Sequence, residues 1–215
     1  MTPTADWVVM IPVRAAATAK SRLAPLGGAR AQVARAVALD TITAVVQCPA
    51  VARVLVVTDD ATLPAALPAG VEVVADGAEG IDEALRLAAA LAGDDAHRAA
   101  LPGDLPAVTG AELAAALERA HAVRRGVVAD AEGTGTTLLT ARAGVPWRSA
   151  YGAGSLGRHV ALGCVVLELP ADSGLRRDVD TPDQLAALAD RLGPTTAASL
   201  TRATAGADAA PETPD

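Results

Sequence analysis

Phenylalanine is absent from this 215-residue sequence, and only Trp7, Trp147 and Tyr151 carry the larger aromatic rings. Lysine is nearly absent as well, because Lys20 is the single lysine among 18 basic residues. Apolar residues nonetheless make up 51% of the chain. A hydrophobic core must therefore be built from Ala, Val and Leu, which suits close-packed helices and valine-rich strands.

Other features that the sequence lacks argue against several classes of protein. No apolar run approaches the ~20 residues that a membrane-spanning helix needs, and residues 1–13 show no basic segment of a signal peptide. The net charge is −7 and no block of basic residues is present, which disfavours a nucleic-acid partner. Cys48 and Cys164 lack metal-ligand spacing and have apolar neighbours, so we expect buried, reduced thiols. These patterns predict a cytoplasmic protein without a membrane or nucleic-acid partner.

Valine-rich runs alternate with alanine- and leucine-rich stretches along the chain. Near-continuous apolar strands are typical of a parallel sheet that is buried on both faces. The alternation of strands and helices therefore predicts an α/β fold, a three-layer sandwich around a mostly parallel sheet. The predicted strands are 7–13, 51–58, 71–75, 97–103, 126–131 and 164–169, and the predicted helices cover 29–46, 80–92 and 110–123.

Two helix starts carry their own capping signals. Thr109 with Glu112, and Thr181 with Gln184, have the spacing of a capping box. Pro182 stands at the first helical position, where its missing N–H costs nothing. Both stretches are therefore predicted to begin helices.

The stretch 126–141 interrupts the parallel pattern, because two strand-like runs flank the glycine-rich AEGTG. It predicts an antiparallel hairpin added to the parallel core. Residues 1–202 are expected to form a single domain, and the small, acidic, proline-containing stretch 203–215 is expected to be a disordered tail. An exposed hairpin edge is compatible with a homodimer.

A loop after the first predicted strand carries several cations. Arg14, Lys20 and Arg22 lie within it, with Ser21 beside them. Ligands bind at the carboxyl edge of an open α/β sheet, and a triphosphate needs such charge neutralisation. A solvated basic loop is the alternative. The Gly-Lys-Ser/Thr of a Walker loop is missing, which disfavours a P-loop ATPase.

Aspartates follow several predicted strands. Asp104 lies between Pro102 and Pro106, and Asp178 and Asp180 precede the last capping box. Mg²⁺ sites commonly use one or two carboxylates together with substrate phosphate oxygens, so Asp104 with one of the late pair is the candidate metal site. Asp104 could instead cap a turn, and Asp180 could be a helix-entry residue. The other strand-end acids are interpreted as turn residues: Asp59, Asp60 and Asp76.

The glycine-rich hairpin is a candidate anion contact. Gly133 and Gly135 would let backbone amides face an anion, and hydroxyl donors follow at Thr134, Thr136 and Thr137. A plain hairpin turn would explain the glycines, although it leaves the three threonines unexplained.

Residues 151–163 match the G-x-G-x-x-G dinucleotide fingerprint. However, no buried strand precedes them, and the following helix is too short for a βαβ unit. We therefore interpret the stretch as a loop that opens a short helix, where Ser155 and N-terminal amides hold a phosphate or carboxylate. Arg158 would assist, and His159 is interpreted as a packing residue rather than a general base.

Six motifs in order, between about residue 7 and residue 192, resemble the guanylyltransferases of coenzyme F420 biosynthesis. They read IPVR…AKSRL, VVTDD, LPGDLPAV, EGTGTTLL, YGAGSLGRH and RRDVDTPDQL. The resemblance implies a nucleotidyltransferase fold related to the GT-A-like sugar-nucleotide enzymes. It also implies the small-molecule substrates GTP and a phosphorylated three-carbon acid, with Mg²⁺ as the cofactor and a guanylylated acid and pyrophosphate as products.

The same resemblance implies roles for individual residues. The catalytic residues would be Lys20, Arg22 and Asp104. The nucleotide would be held by Arg14, Lys20, Arg22 and Gly80. The metal would be bound by Asp104 with Asp178 or Asp180. The acid substrate would be contacted by Thr137, Gly152 and Ser155.

Two positions depart from the pattern of that family. The family often has Lys where Arg14 stands, which keeps the charge but exchanges a compact ammonium for a planar fork. It often has Gly-Leu-Asn-Ala where residues 80–83 read Gly-Ile-Asp-Glu. An acid, Asp82, thus replaces an amide next to the expected nucleotide contact.

The acceptor acid is expected to be phosphoenolpyruvate, because the Ala- and Arg-rich composition resembles that of actinobacteria, the branch of the family associated with this acid. The alternative is 2-phospho-L-lactate. A non-catalytic nucleotide-binding module is a rival from another class. A sugar-1-phosphate nucleotidyltransferase is a further rival, although IPVRAAATAK stands where its glycine-rich loop would be.

Overall fold

The computed structural model describes residues 6–14, 21–77 and 80–208, and within them seven strands form one sheet. The strand order is β3-β2-β1-β4-β6-β5-β7. Strand β6 runs antiparallel to both of its neighbours, and every other pair is parallel. The predicted mostly parallel sheet with an antiparallel hairpin is confirmed. The strands are β1 Trp7–Val13, β2 Val51–Thr58, β3 Val71–Ala75, β4 His97–Ala100, β5 Arg125–Ala129, β6 Thr136–Ala141 and β7 Val165–Val166.

Helices cover both faces of the sheet, so the predicted three layers are present. One apolar cluster joins the sheet to α1 and α3 through residues such as Ile42 and Leu113. A second cluster joins the other face to α2 and to the start of α4, with Leu85 and Leu156 among its members. The helices are α1 Arg30–Val46, α2 Ile81–Ala92, α3 Gly110–Ala120, α4 Ser155–Ala161, α5 Pro182–Ala187 and α6 Pro194–Asp208.

Three elements are shorter than predicted by at least three residues. Strand β4 ends at Ala100 rather than at residue 103, because the ladder stops after the Leu101 amide donates to Met10 and Pro102 has no N–H to continue it. Strand β7 spans two residues of the predicted 164–169, and the last bond to β5 is made by the Leu167 amide. Helix α3 ends at Ala120 rather than at residue 123.

Both predicted capping boxes are present. The Thr109 hydroxyl accepts the amide of Glu112, whose carboxylate accepts the Thr109 amide in return. Thr181 and Gln184 form the same reciprocal pair at the start of α5. The Asp180 amide also donates to the Gln184 side chain at 2.7 Å. The second box therefore sets the path of the chain at Asp180.

The C-terminal part of the described chain packs on the outer side of α1. The buried carboxylate of Asp40 accepts the amides of Thr195 and Thr196 at 3.1 and 2.7 Å, which satisfies free N–H groups at the start of α6. Helix α6 continues to Asp208, so residues 203–208 of the predicted tail are helical. Residues 209–215 lie outside the described part of the chain.

The structure describes both cysteines and the lengths of the apolar helices. Cys48 and Cys164 are free and buried, as predicted. Within the described ranges, no helix is both long enough and apolar enough to cross a membrane.

Candidate active site

One edge of the sheet collects the candidate functional residues. The carboxyl ends of β1, β2, β4 and β5 meet there, and antiparallel β6 begins there. Arg14, Asp60, Asp104 and Asp130 each lie shortly after one of these strand ends. Ligands of open α/β sheets bind at this edge, so the topology itself brings sequence-remote charged residues together.

Asp104 is held by the backbone on either side of it. The Leu105 amide donates to the buried Thr41 hydroxyl of α1 at 3.0 Å, and the Asp104 carbonyl accepts the Val179 amide at 3.0 Å. The second bond places the 178–180 segment beside Asp104. Gly103 allows this path, because a Cβ there would lie 2.9 Å from a methyl group of Val13.

A cleft of about 340 Å³ opens at this edge of the sheet. Arg14, Asp104 and Asp180 line it, so three of the predicted site residues share one cavity. A wider groove of about 590 Å³ adjoins the cleft, shares Arg14 and Ile81 with it, and is lined by Gly80 and Trp147. The predicted nucleotide contacts Arg14 and Gly80 thus lie in two adjoining depressions.

Asp178 belongs to a group of carboxylates next to the cleft. One oxygen each from Asp178, Asp130 and Glu132 lie within 4.8 Å of one another. Burial, reinforced by the negative charge of Asp104, raises the pKa of Asp178 to about 7. Its Oδ1 atom is buried and has no hydrogen-bond partner among the described residues.

This concentration of negative charge fits a divalent cation. Carboxylates that repel one another and leave a buried oxygen unsatisfied are stabilised when a hard cation takes their oxygens as ligands. Sequence analysis missed Asp130 and Glu132 as members of the group. Asp130 directly follows β5, and that position was the available signal.

Asp130 also organises the hairpin between β5 and β6. Its carboxylate accepts the amides of Thr134 and Gly135 at 2.8 and 2.7 Å. The expectation that these hairpin amides face a bound anion is therefore wrong, because they face Asp130 of the same chain. The Thr136 hydroxyl is bonded to His159. By contrast, the buried hydroxyl of Thr137 has no hydrogen-bond partner among the described residues.

The loop before α4 carries the remaining predicted contacts. Gly152 and Gly154 adopt φ angles of 106° and 70°, which L-residues with a Cβ rarely reach. Ser155 is buried, and its amide donates to the Gly152 carbonyl at 3.0 Å. The amides of Gly152, Ala153 and Gly154 donate to no group within the described ranges. Successive amides in a turn are one of the arrangements that proteins use to bind anions.

Part of the predicted cationic loop lies outside the described residues. Lys20 is among residues 15–20, and the Arg22 side chain also lies outside the described part of the structure. Arg14 is described and is exposed at the mouth of the cleft.

A second group of possible metal ligands lies at the opposite edge of the sheet. Asp6, His97 and His121 bring an oxygen and two ring nitrogens within 4.8 Å of one another. However, His121 Nε2 accepts the indole N–H of Trp7 at 3.1 Å, and His97 Nδ1 accepts the Ala143 amide at 3.2 Å. A neutral imidazole has one lone pair for an acceptor or metal bond, so both rings already use theirs.

The sequence and fold of the chain are similar to those of known proteins. The model of the family described as "Guanylyl transferase CofC like" matches residues 7–164. A phosphoenolpyruvate guanylyltransferase of Thermomonospora curvata is 47% identical over 203 residues, covering 91% of this chain and 89% of the relative. A phosphoenolpyruvate guanylyltransferase of Streptomyces coelicolor is 46% identical over 205 residues, covering 92% of this chain and 97% of the relative. Among solved structures, a candidate nucleotide-diphospho-sugar transferase of Desulfovibrio desulfuricans matches with a TM-score of 0.70 at 20% identity. The match covers 93% of this chain and 95% of the other, and it shows that the two share a fold.

Proposed function

This chain belongs to the family of CofC-like guanylyl transferases, and we propose that it transfers GMP from GTP to phosphoenolpyruvate in coenzyme F420 biosynthesis. It is a nucleotidyltransferase by that membership. The acceptor is inferred from relatives named phosphoenolpyruvate guanylyltransferase, two of which are 46–47% identical over nine-tenths of this chain. The observation that carries the proposal is the meeting of Arg14, Asp104 and Asp180 in one cleft, with the carboxyl group of Asp178 beside it.

In the proposed reaction, a phosphate oxygen of phosphoenolpyruvate attacks the α-phosphorus of GTP. The bond between the α-phosphorus and its bridging oxygen to the β-phosphorus breaks, and pyrophosphate leaves with that electron pair. The product is enolpyruvyl-diphospho-guanosine. The attacking phosphate is already an anion, so the site needs no general base. This agrees with the location of His159, which is fully buried and bonded to Thr136 and to the Ala150 amide.

Mg²⁺ is the proposed cofactor, held by Asp104 with Asp178 and Asp180. When bound, Mg²⁺ would supply charge neutralisation for the phosphate oxygens. The unsatisfied Oδ1 of Asp178 and the raised pKa of that carboxyl group support a cation at this position. Asp130 and Glu132 place carboxylate oxygens next to Asp178, so they would add negative charge around the bound cation.

The cations after β1 are proposed to bind the triphosphate. Arg14 lines both the cleft and the adjoining groove, so its guanidinium can reach phosphates that lie between them. Lys20 and Arg22 are assigned to the same role on the strength of the family motif. Gly80, beside Arg14 in the groove, is assigned to the nucleotide.

The acceptor acid is proposed to bind between the start of β6 and the loop before α4. Thr137 supplies a buried hydroxyl that has no partner among the described residues. Gly152 supplies a backbone amide, and Ser155 a hydroxyl. Both anionic ends of the acid, phosphate and carboxylate, are suited to such donors.

A pyrophosphate-release assay tests the proposal. The protein is supplied with GTP and Mg²⁺ and with either phosphoenolpyruvate or 2-phospho-L-lactate, and ATP replaces GTP as a control. We expect metal-dependent release with GTP and phosphoenolpyruvate. Faster release with 2-phospho-L-lactate would reassign the acceptor. No release with either acid would overturn the proposal and favour a nucleotide-binding module.

A further inference from the structure

The backbone of residues 150–154, which we name the acceptor loop, is held by three side chains. The Tyr151 amide donates to the two oxygens of Asp82 at 3.1 and 3.2 Å, and the Ala150 amide donates to His159 Nε2 at 2.9 Å. Arg158 donates to the carbonyls of Ala150, Tyr151 and Ala153 at 2.9, 2.7 and 2.6 Å. One carboxylate, one imidazole and one guanidinium thus bind the backbone of the segment 150–153.

His159 joins this loop to β6 in one defined tautomer. Because its Nε2 accepts the Ala150 amide, the proton of the neutral ring is on Nδ1, which then donates to the Thr136 hydroxyl at 2.9 Å. The ring is fully buried and lies edge-on to Tyr151, with centroids 5.0 Å apart. His159 therefore fixes the distance between the loop and the strand residue next to Thr137.

Asp82 joins the same loop to the nucleotide side of the site. It lies in the first turn of α2, directly after Ile81, which lines both the cleft and the groove. The bond to Tyr151 needs only an acceptor oxygen, and an asparagine side chain offers one as well. This accounts for the acid at a position where the family often has an amide.

The loop amides that these side chains do not bind belong to exposed residues. With the Ala150 and Tyr151 amides occupied, the next three amides, of Gly152, Ala153 and Gly154, stay free within the described ranges. We propose that Asp82 and His159 are positioning residues for the acceptor acid, which hold the acceptor loop so that these three amides converge on the bound anion. The inference rests on the proposed function and assigns roles to two residues that do not touch the acid themselves.

Enzyme kinetics with matched variants tests the role of Asp82. Asp82→Ala removes the acceptor of the Tyr151 amide, and we expect the KM for phosphoenolpyruvate to rise by about tenfold or more, with the KM for GTP changed less than about twofold. Asp82→Asn keeps an acceptor oxygen and should retain the wild-type KM. Glu118→Ala is the control, because Glu118 is an exposed acid on α3, away from the cleft and the groove.

Hydrogen exchange supplies a readout that is independent of turnover. The Tyr151 amide should exchange slowly in the wild type and in Asp82→Asn, and at least about tenfold faster in Asp82→Ala. His159→Leu should release the Ala150 amide in the same way, while His159→Gln, which offers an acceptor oxygen, should protect it better than Leu.

The outcomes separate this inference from the proposed function. An unchanged KM for phosphoenolpyruvate in Asp82→Ala, or equal increases for both substrates, would overturn the positioning role. A wild type that releases no pyrophosphate would overturn the proposed function, and exchange alone would then decide whether the loop is held. In that case, faster exchange of the Tyr151 amide in Asp82→Ala than in Asp82→Asn would show that Asp82 holds the loop. Equal exchange of this amide in both variants and the wild type would refute that role.

Discussion

Asp178 offers a direct test of the electrostatics of the site, through the substitution Asp178→Asn. The pKa of this carboxyl group is raised from 3.8 to about 7, chiefly by burial and next by the charge of Asp104. Folded Asp178 therefore holds its proton to a higher pH than the unfolded chain does. The folded state binds more protons between about pH 4 and pH 7, so the contribution of Asp178 to stability without metal falls as the pH rises through that window.

The size of the effect follows from the shift in pKa. At about 1.4 kcal/mol per pKa unit, the upper bound is near 4 kcal/mol at pH 7 and above. Partial solvent contact of the side chain screens this charge, and we reduce the expectation to about 2 kcal/mol. Asparagine carries no charge to be buried, so Asp178→Asn should stabilise the metal-free protein. For a domain of this size, about 2 kcal/mol corresponds to a rise of about 4–8 °C in Tm.

Thermal unfolding followed by circular dichroism measures this effect. Without metal, the variant should melt above the wild type at pH 8, and the difference should shrink as the pH falls towards 4. Added Mg²⁺ should raise the Tm of the wild type more than that of the variant, because a ligand that binds the folded state stabilises it. The variant should also lose pyrophosphate release. A variant that melts at or below the wild type at pH 8 without metal would refute the reasoning.

Substitutions at three further residues test other parts of the site. Asp104→Asn should lower pyrophosphate release by about a thousandfold or more through loss of charge stabilisation, with a circular dichroism spectrum like that of the wild type; near-normal rates would exclude Asp104 as a ligand. Gly103→Ala places a Cβ 2.9 Å from the Val13 side chain, and should cost about 1–3 kcal/mol in chemical denaturation and lower the rate; an unchanged midpoint would contradict the close approach. Arg14→Ala should raise the KM for GTP by about tenfold or more, since a charged phosphate contact is lost, and Arg14→Lys should restore most of it; an equal effect of both variants would contradict a role of charge.

Local sequence signals predicted much of the fold. The bounds of β1, β2 and β3 match the prediction to the residue, because runs of apolar, β-branched residues end at turn-forming residues. Both capping boxes form, because each is closed by residues only three positions apart. Long-range pairing limited the prediction elsewhere: β7 shortens to Val165–Val166, a length that depends on its bonds to β5.

The candidate site was predictable in its residue types and less so in its partners. Asp104 and Asp180 share a cleft with Arg14, as their positions near the sheet edge suggested. The hairpin amides, by contrast, face Asp130 rather than a substrate. A pattern of glycines indicates that backbone amides can bind an anion. It does not show whether that anion is a substrate or a carboxylate of the same chain.

By itself, the sequence determined the alternation of strands and helices, the helix starts, the family, and the chemical character of each loop, since these depend on residues that are close in the chain. Only the tertiary structure decided which loops meet. The strand order β4-β6-β5 places Asp130 near Asp178, and the packing of α2 and α4 carries Asp82 and His159 to one loop from opposite sides in sequence. Those contacts join residues up to about 70 positions apart, and their geometry arises from the packing of the whole sheet and its helices.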